Sequence, residues 1–315
     1  MGLIFLVSGC GKKEIELESA YDLLETSTKY GITEGKSAQS LEFFAKDLVV
    51  SDEENLGLNE NTENLAEAAG VFRIDQKEAV CKKNIYEKLY PASTTKILTA
   101  YVALKEGNLD DVVTVSANAV DQSWDSSVCG LKEGDQMTLR DLLYGLMLCS
   151  GNDAAVAIAE HISGSVEEFV VLMNAQAQEL GASSSHFVTA NGLHDEEHYT
   201  TVYDMYLIMN AAVQDETFLE ILKTANYTVN YTDAAGSETS QEWATTNQYL
   251  TGEKETPENV SVIGGKTGTT KEAGYCLVQY NENKEKEPVI SIVFKADTRN
   301  NMYQLMGEML NNFAN

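Results

Sequence analysis

Proline is almost missing from this chain: Pro91, Pro257 and Pro288 are the only three among 315 residues. A Pro-rich linker is therefore excluded. Positive charge is scarce too, with 22 Lys and Arg against 49 Asp and Glu and a formal net charge of −27. Phosphate backbones are bound by clustered Lys and Arg, so the composition argues against a nucleic-acid partner. An anionic ligand would need a local pocket of positive charge. No CxxC occurs among the five cysteines, Cys10, Cys81, Cys129, Cys149 and Cys276, so neither a zinc knuckle nor a thioredoxin motif is signalled. No apolar run reaches the ~20 residues that a membrane-spanning helix needs. The 43% apolar and 23% charged fractions are those of an ordinary globular protein, and the length allows a substantial core.

Residues 1–10 form a short apolar start without the basic residues of a full signal peptide. Leu6 stands where N-myristoylation of Gly2 would want Ser or Thr. The end of this start, Val7-Ser8-Gly9-Cys10, resembles a bacterial lipobox, in which the cysteine is lipid-modified and becomes the new N-terminus. The expectation is a truncated signal over 1–10 with lipid on Cys10, a polar tether over 11–41, and one folded domain over 42–315. With Cys10 lipidated, four cysteines remain and allow three pairings if all are oxidised. Their irregular spacing fits buried thiols equally well.

The folded part begins with strand-like runs at residues 68–74 and 79–81, a hairpin signal. Residues 91–104 read as a helix with Pro91 at its start. The middle is helical. Thr138 is placed to cap a helix over 139–148 with Asp141 completing a capping box, and further helices begin near 152 and 166. Strand patterns return at 275–280 and 289–294, followed by an amphipathic helix over about 298–313. Strands at both ends with helices between predict an α/β domain.

Three short motifs could carry chemistry. Ser93-Thr94-Thr95-Lys96 is the only S-x-x-K. On a helix, positions i and i+3 share a face, so Lys96 can reach the Ser93 hydroxyl. A serine becomes a nucleophile when a neighbouring base takes its proton, and a lysine can be that base once burial or nearby cations lower its pKa. Ser150-Gly151-Asn152 places an S-x-N at the break between two helices, where side chains can face a cleft; plain helix capping would use the same residues. A second S-x-N, Ser116-Ala117-Asn118, lacks that rigid setting. Lys266-Thr267-Gly268 is the only K-T-G; Lys266 and Thr267 can receive a carboxylate, while Gly268 lets a ligand approach the backbone. Each motif alone also fits an ordinary helix or a Gly-rich turn.

In the order S-x-x-K, S-x-N, K-T-G the set matches that of β-lactamases and penicillin-binding proteins. From about residue 66 onward the chain resembles the serine-type D-alanyl-D-alanine carboxypeptidases, low-molecular-weight penicillin-binding proteins. The carriers are residues 90–97, 148–155, 191–194 with 198–201, and 265–270 with 273–274. The resemblance implies an antiparallel sheet flanked by helices, an all-helical subdomain, and an active site between them. It implies that Ser93 attacks the carbonyl between the last two D-alanines of a peptidoglycan stem peptide, with Lys96 as general base. Ser150 would relay a proton to the leaving amine. Asn152 would hold the substrate backbone or Lys96. Lys266 and Thr267 would hold the terminal carboxylate, aided by Arg299, although an exposed arginine at a helix start would read the same. The N–H groups of Ser93 and Thr269 would form the oxyanion hole. β-Lactams would acylate Ser93, no cofactor or metal would be needed, and the enzyme would face the cell wall outside the cytoplasmic membrane. Many members carry a second, β-rich domain after the catalytic one; none is expected before Asn315.

Rival readings are fewer. His194-Asp195-Glu196-Glu197-His198 fits a zinc-peptidase pattern, H-x-x-E-H, but no apolar helical face surrounds it. A class A β-lactamase needs a deacylating glutamate on an E-x-x-L-N type motif, which residues 153–265 lack. A β-lactam sensor or silent binding module would keep the pocket without turnover. Trp124 is expected to pack on its own domain and Cys149 to be a buried helix-end thiol.

Overall fold

The computed structural model describes residues 46–315. The lipidation expected at Cys10 and the tether expected over 11–41 lie outside the described residues. The compact unit spans Asp47–Asn315.

β1 (Ala66–Arg73) and β2 (Glu78–Lys83) form the expected antiparallel hairpin. The helix expected from Pro91 is divided. A tight 3-10 turn, Ala92–Thr95, comes first, and α1 (Lys96–Glu106) continues from it. Ala92 sits at φ 49°, a left-handed conformation that an α-helix cannot include. β3 (Val112–Thr114), α2 (Ala117–Val120) and β4 (Gln136–Thr138) lead to α3 (Leu139–Met147). The α3 capping box is present: the Thr138 hydroxyl accepts from the Asp141 N–H at 3.1 Å, and the Asp141 carboxylate accepts from the Thr138 N–H at 3.1 Å. Such a cap is worth about 1 kcal/mol. α4 (Asn152–Ser163), α5 (Val166–Glu179), α6 (Val202–Ala212) and α7 (Glu216–Lys223) complete the helical middle.

That middle is not all-helical. β5 (Asn226–Thr232) and β6 (Glu238–Ala244) pair with β3 and β4 into a four-stranded sheet ordered β3-β4-β5-β6. Their only fully buried side chains are Val229 and Trp243, so the alternation that marks a strand is faint. A short helix, α8 (Gln248–Thr251), precedes the last three strands.

β7 (Ser261–Thr270), β8 (Gly274–Glu282) and β9 (Pro288–Ala296) join the first hairpin in an antiparallel sheet ordered β2-β1-β9-β8-β7. Both faces are covered. On one, Val71, Val289 and Val293 pack with Met302, Leu305, Met306 and Met309 of α9 (Arg299–Phe313). On the other, Phe72, Ile290, Ile292 and Phe294 join a larger core with Leu98, Leu142, Ile158 and Tyr206 from the helices. Burial on two faces explains why β9 reads as a nearly continuous apolar run. Among the described residues, no helix is long and apolar enough to cross a membrane.

β7 is an edge strand, and it lies against the 3-10 turn. A Cβ on Gly268 would stand 2.8 Å from the Pro91 carbonyl oxygen and 3.0 Å from the Ser93 and Thr94 nitrogens. The glycine is thus required by the approach of the Ser93 turn itself. Larger side chains there would push the two elements apart.

Candidate active site

The 3-10 turn brings Ser93 directly over Lys96, because positions i and i+3 eclipse in that geometry. Lys96 Nζ is 3.0 Å from Ser93 Oγ, 2.7 Å from Asn152 Oδ1 and 2.6 Å from the Asn191 carbonyl oxygen. Lys96 is fully buried. A neutral amine has two N–H donors and one lone pair. The two carbonyl-type oxygens take the donors, which leaves the lone pair facing the Ser93 hydroxyl. Burial holds Lys96 well below the usual lysine range, and the charge of Lys266 pushes the same way, against weaker opposition from Cys129, Asp153 and Cys149. Lys96 therefore has the position of a base, and its lowered pKa favours the neutral form that a base needs.

Ser150 lies in the turn between α3 and α4 at φ 60°, a strained conformation for a residue with a Cβ. Of the two S-x-N candidates, this one faces Ser93. In the other, Ser116 caps α2 and donates to Glu160 at 2.5 Å, and Asn118 also donates to Glu160. The helix-capping reading of Asn152 does not hold. Gly151 is the N-cap of α4 and makes no side-chain cap, while the Asn152 side chain is spent on Lys96. Asp153 fixes the adjoining rim. Its carboxylate accepts from the N–H groups of Cys129, Gly130 and Leu131 at 2.8, 3.0 and 3.1 Å.

The K-T-G lies on strand β7 and not in an exposed turn. Lys266 is fully buried, donates to the Thr267 carbonyl at 2.9 Å, and is pushed down by burial to about 7. The Thr267 hydroxyl meets the Thr246 hydroxyl at 2.6 Å. Arg299 opens α9 with its guanidinium 6.0 Å from the Tyr275 ring centroid. Ser93, Ser150, Thr246, Thr267, Thr269 and Arg299 line one cavity of about 230 Å³. A second cavity of about 380 Å³ opens beyond Ser93, lined by Asn152, Asp125, His194 and Glu272 among others. Ser93, Ser127 and Thr269 line both, so the cleft extends to either side of the nucleophile candidate.

The segment containing His194 and His198 is a loop whose Gly192, Leu193 and His194 line the second cavity. His198 is buried, and its Nδ1 accepts from the Val188 and Thr189 N–H groups at 3.0 and 3.3 Å. Its proton therefore sits on Nε2, which donates to Thr95 Oγ1 at 2.9 Å. Both ring nitrogens are engaged, and burial pulls the imidazole down to about 4, so it is neutral near pH 7. The role left to His198 is to hold the loop whose Asn191 carbonyl binds Lys96. His194 stands edge-on to Tyr90 with ring centroids 4.6 Å apart. Among the described residues, no three His, Cys, Asp or Glu side chains gather as a metal site.

Two expectations about single residues need correction. Trp124 does not pack on its own domain; it is 97% exposed beside cleft residues Ser123 and Asp125, because the rim loop turns it outward. Cys149 is only half-buried and touches Cys129. Asn191, Thr246 and Ser127 were not legible as site residues. Asn191 and Ser127 contribute backbone carbonyls, which no side-chain motif encodes.

A family model described as D-alanyl-D-alanine carboxypeptidase matches residues 59–298. The D-alanyl-D-alanine carboxypeptidase DacF of Bacillus subtilis (strain 168) is 37% identical over 240 residues, covering 74% of this chain and 58% of that protein. DacC of Escherichia coli (strain K12), with the same description, is 36% identical over 236 residues, 70% of this chain and 54% of that protein. The chain thus spans about half the length of these relatives. Among solved structures, the Streptomyces K15 DD-transpeptidase superposes with a TM-score of 0.73 at 30% identity, over 79% of this chain and 96% of that one. A D-alanyl-D-alanine carboxypeptidase from Mycobacterium tuberculosis H37Rv gives a TM-score of 0.70 at 25% identity, over 83% and 94%.

Proposed function

The chain belongs to the D-alanyl-D-alanine carboxypeptidase family, and from that premise we propose that it removes the terminal D-alanine from peptidoglycan stem peptides through an acyl-enzyme on Ser93. One observation carries the reading: Lys96 Nζ stands 3.0 Å from Ser93 Oγ with its other hydrogen-bond directions filled by Asn152 and Asn191. Neutral Lys96 takes the Ser93 proton as Oγ attacks the carbonyl between the two D-alanines. The oxyanion is held by the N–H groups of Ser93 and Thr269, each donor worth roughly 2.7–4 kcal/mol in related chemistry. The proton then passes by way of Ser150 to the departing amine, and water later frees the acyl group. Lys266, Thr267 and Arg299 receive the terminal carboxylate. In a chain of net charge −27, the cations Lys266 and Arg299 at one end of the cleft are what admits an anion.

The bond cut lies in material outside the cytoplasmic membrane, and a lipid on Cys10 would hold the domain there. A β-lactam copies the D-Ala-D-Ala end and acylates the same serine. The rival is a β-lactam sensor without turnover. The test is D-alanine release from an N-acylated peptide ending in D-Ala-D-Ala. Steady release, absent with an L-Ala-L-Ala end, is expected. Stable penicillin acylation without any release would give the site to the sensor. Because a structural neighbour is named a DD-transpeptidase, the same assay with an added amine acceptor reports whether water or an amine takes the acyl group.

A further inference from the structure

The proposed mechanism uses neither Cys129 nor Cys149, yet their sulfurs are 3.4 Å apart beneath the Ser150 turn. All four described cysteines are free thiols. Cys81 and Cys276 cannot pair with each other, since they lie on β2 and β8 with β1 and β9 between them. Cys129–Cys149 is therefore the one pair in contact among the described cysteines, and none of the three full pairings that the sequence allows is realised.

The two sulfurs are held by fixed backbone on both sides. The Asp153 carboxylate clamps the N–H groups of Cys129, Gly130 and Leu131. The Cys129 carbonyl accepts from Gln241 Nε2 at 2.6 Å and Trp243 Nε1 at 3.3 Å. The Asn152 N–H donates to the Ser127 carbonyl at 2.8 Å, and the Cys149 thiol donates to the Gly145 carbonyl at 3.4 Å. A Cβ on Gly151 would lie 2.2 Å from Cys129 Sγ, so this sulfur is seated directly under the residue between Ser150 and Asn152. Any displacement of Cys129 Sγ is passed to that turn.

We propose that Cys129 and Cys149 are a redox-active pair whose disulfide ties the cleft rim to the Ser150 turn and slows acylation. The oxidant is a small-molecule disulfide. The half-buried Cys149 attacks one of its sulfurs and expels the other half as a thiol, which carries away the Cys149 proton. The buried Cys129 then attacks Cys149 Sγ, its proton leaving with the second thiol. One external disulfide is reduced to two thiols, and one protein disulfide forms. The half of the proposal that concerns acylation rests on the function proposed above; the cross-link does not.

The test treats the reduced protein with oxidised glutathione, alkylates remaining thiols, and maps non-reduced peptides by mass. Loss of two hydrogens and a cross-link between the peptides holding Cys129 and Cys149 are expected. Penicillin acylation should slow on the order of 10-fold to 100-fold, the scale of a small misplacement at a site, and recover with dithiothreitol. Cys149→Ser should form no cross-link and be insensitive to the oxidant. A lasting glutathione adduct on Cys149, two thiols still open to alkylation, or a cross-linked protein that acylates at the reduced rate would each overturn the proposal. Failure of the reduced protein to acylate would instead count against the proposed function.

Discussion

Ser93→Ala protein should form no covalent adduct with penicillin and should still fold. Ser93 is half-buried, and its hydroxyl is hydrogen-bonded to Lys96. Removing it leaves the Lys96 amine with both carbonyl-type acceptors, so no buried donor is orphaned. The expected stability change is that of one modest hydrogen bond, about 0.5–1.5 kcal/mol. The carboxylate end of the cleft, with Lys266, Thr267 and Arg299, is untouched. Reversible β-lactam binding should therefore survive while acylation disappears. Fluorescent-penicillin gels measure the adduct, and ligand-induced change in melting temperature measures the residual binding. An adduct that persists in Ser93→Ala would remove Ser93 from the mechanism.

Lys96→Met is the second large effect. Methionine keeps an unbranched side chain, one atom shorter, in a fully buried place and deletes the base. Acylation should fall by about 10²–10⁴-fold, the usual worth of a positioned general base. The pH profile distinguishes loss of the base from general damage. In the native protein kcat/KM should fall on the acidic side as Lys96 takes up a proton. Burial and the Lys266 charge hold that point well below the ordinary lysine range. On the alkaline side kcat/KM should fall as Lys266, pushed down to about 7 by burial, loses its proton and with it the grip on the carboxylate. A bound carboxylate favours the Lys266 ammonium, so the alkaline limb of kcat should lie higher than that of kcat/KM. Lys96→Met should lose the acidic limb and keep the alkaline one. An unchanged acidic limb would assign it to another group.

The parts of the site that were legible in the sequence are those where chemistry depends on side-chain identity at short spacing. Ser93 with Lys96, Ser150 with Asn152, and Lys266 with Thr267 are each separated by no more than three residues. The α3 capping box was legible for the same reason, because Thr138 and Asp141 satisfy each other locally. What escaped was decided by tertiary pairing. β7 has four residues of Gly and Thr in a row after Lys266 and shows little apolar alternation; it is a strand because β8 completes its hydrogen bonds. The β5–β6 hairpin is polar along most of its length and gains its place by pairing with β4. The Asn191 carbonyl reaches Lys96 across 95 positions, held there by a buried His198 whose role a motif scan reads as a metal ligand. Pro91 stands outside the helix because of one left-handed backbone angle at Ala92, which composition does not announce.

The central claim is that the acyl group sits on Ser93, and trypsin offers a direct reading of it. Cleavage after Lys88 and Lys96 isolates residues 89–96, a segment with Ser93 as its one serine. After brief reaction with penicillin, this peptide should carry the mass of the intact β-lactam, with fragmentation placing it on Ser93. A stable adduct mapped to any other residue, or turnover of a D-Ala-D-Ala peptide with no acyl group ever trapped on this peptide, would contradict the account.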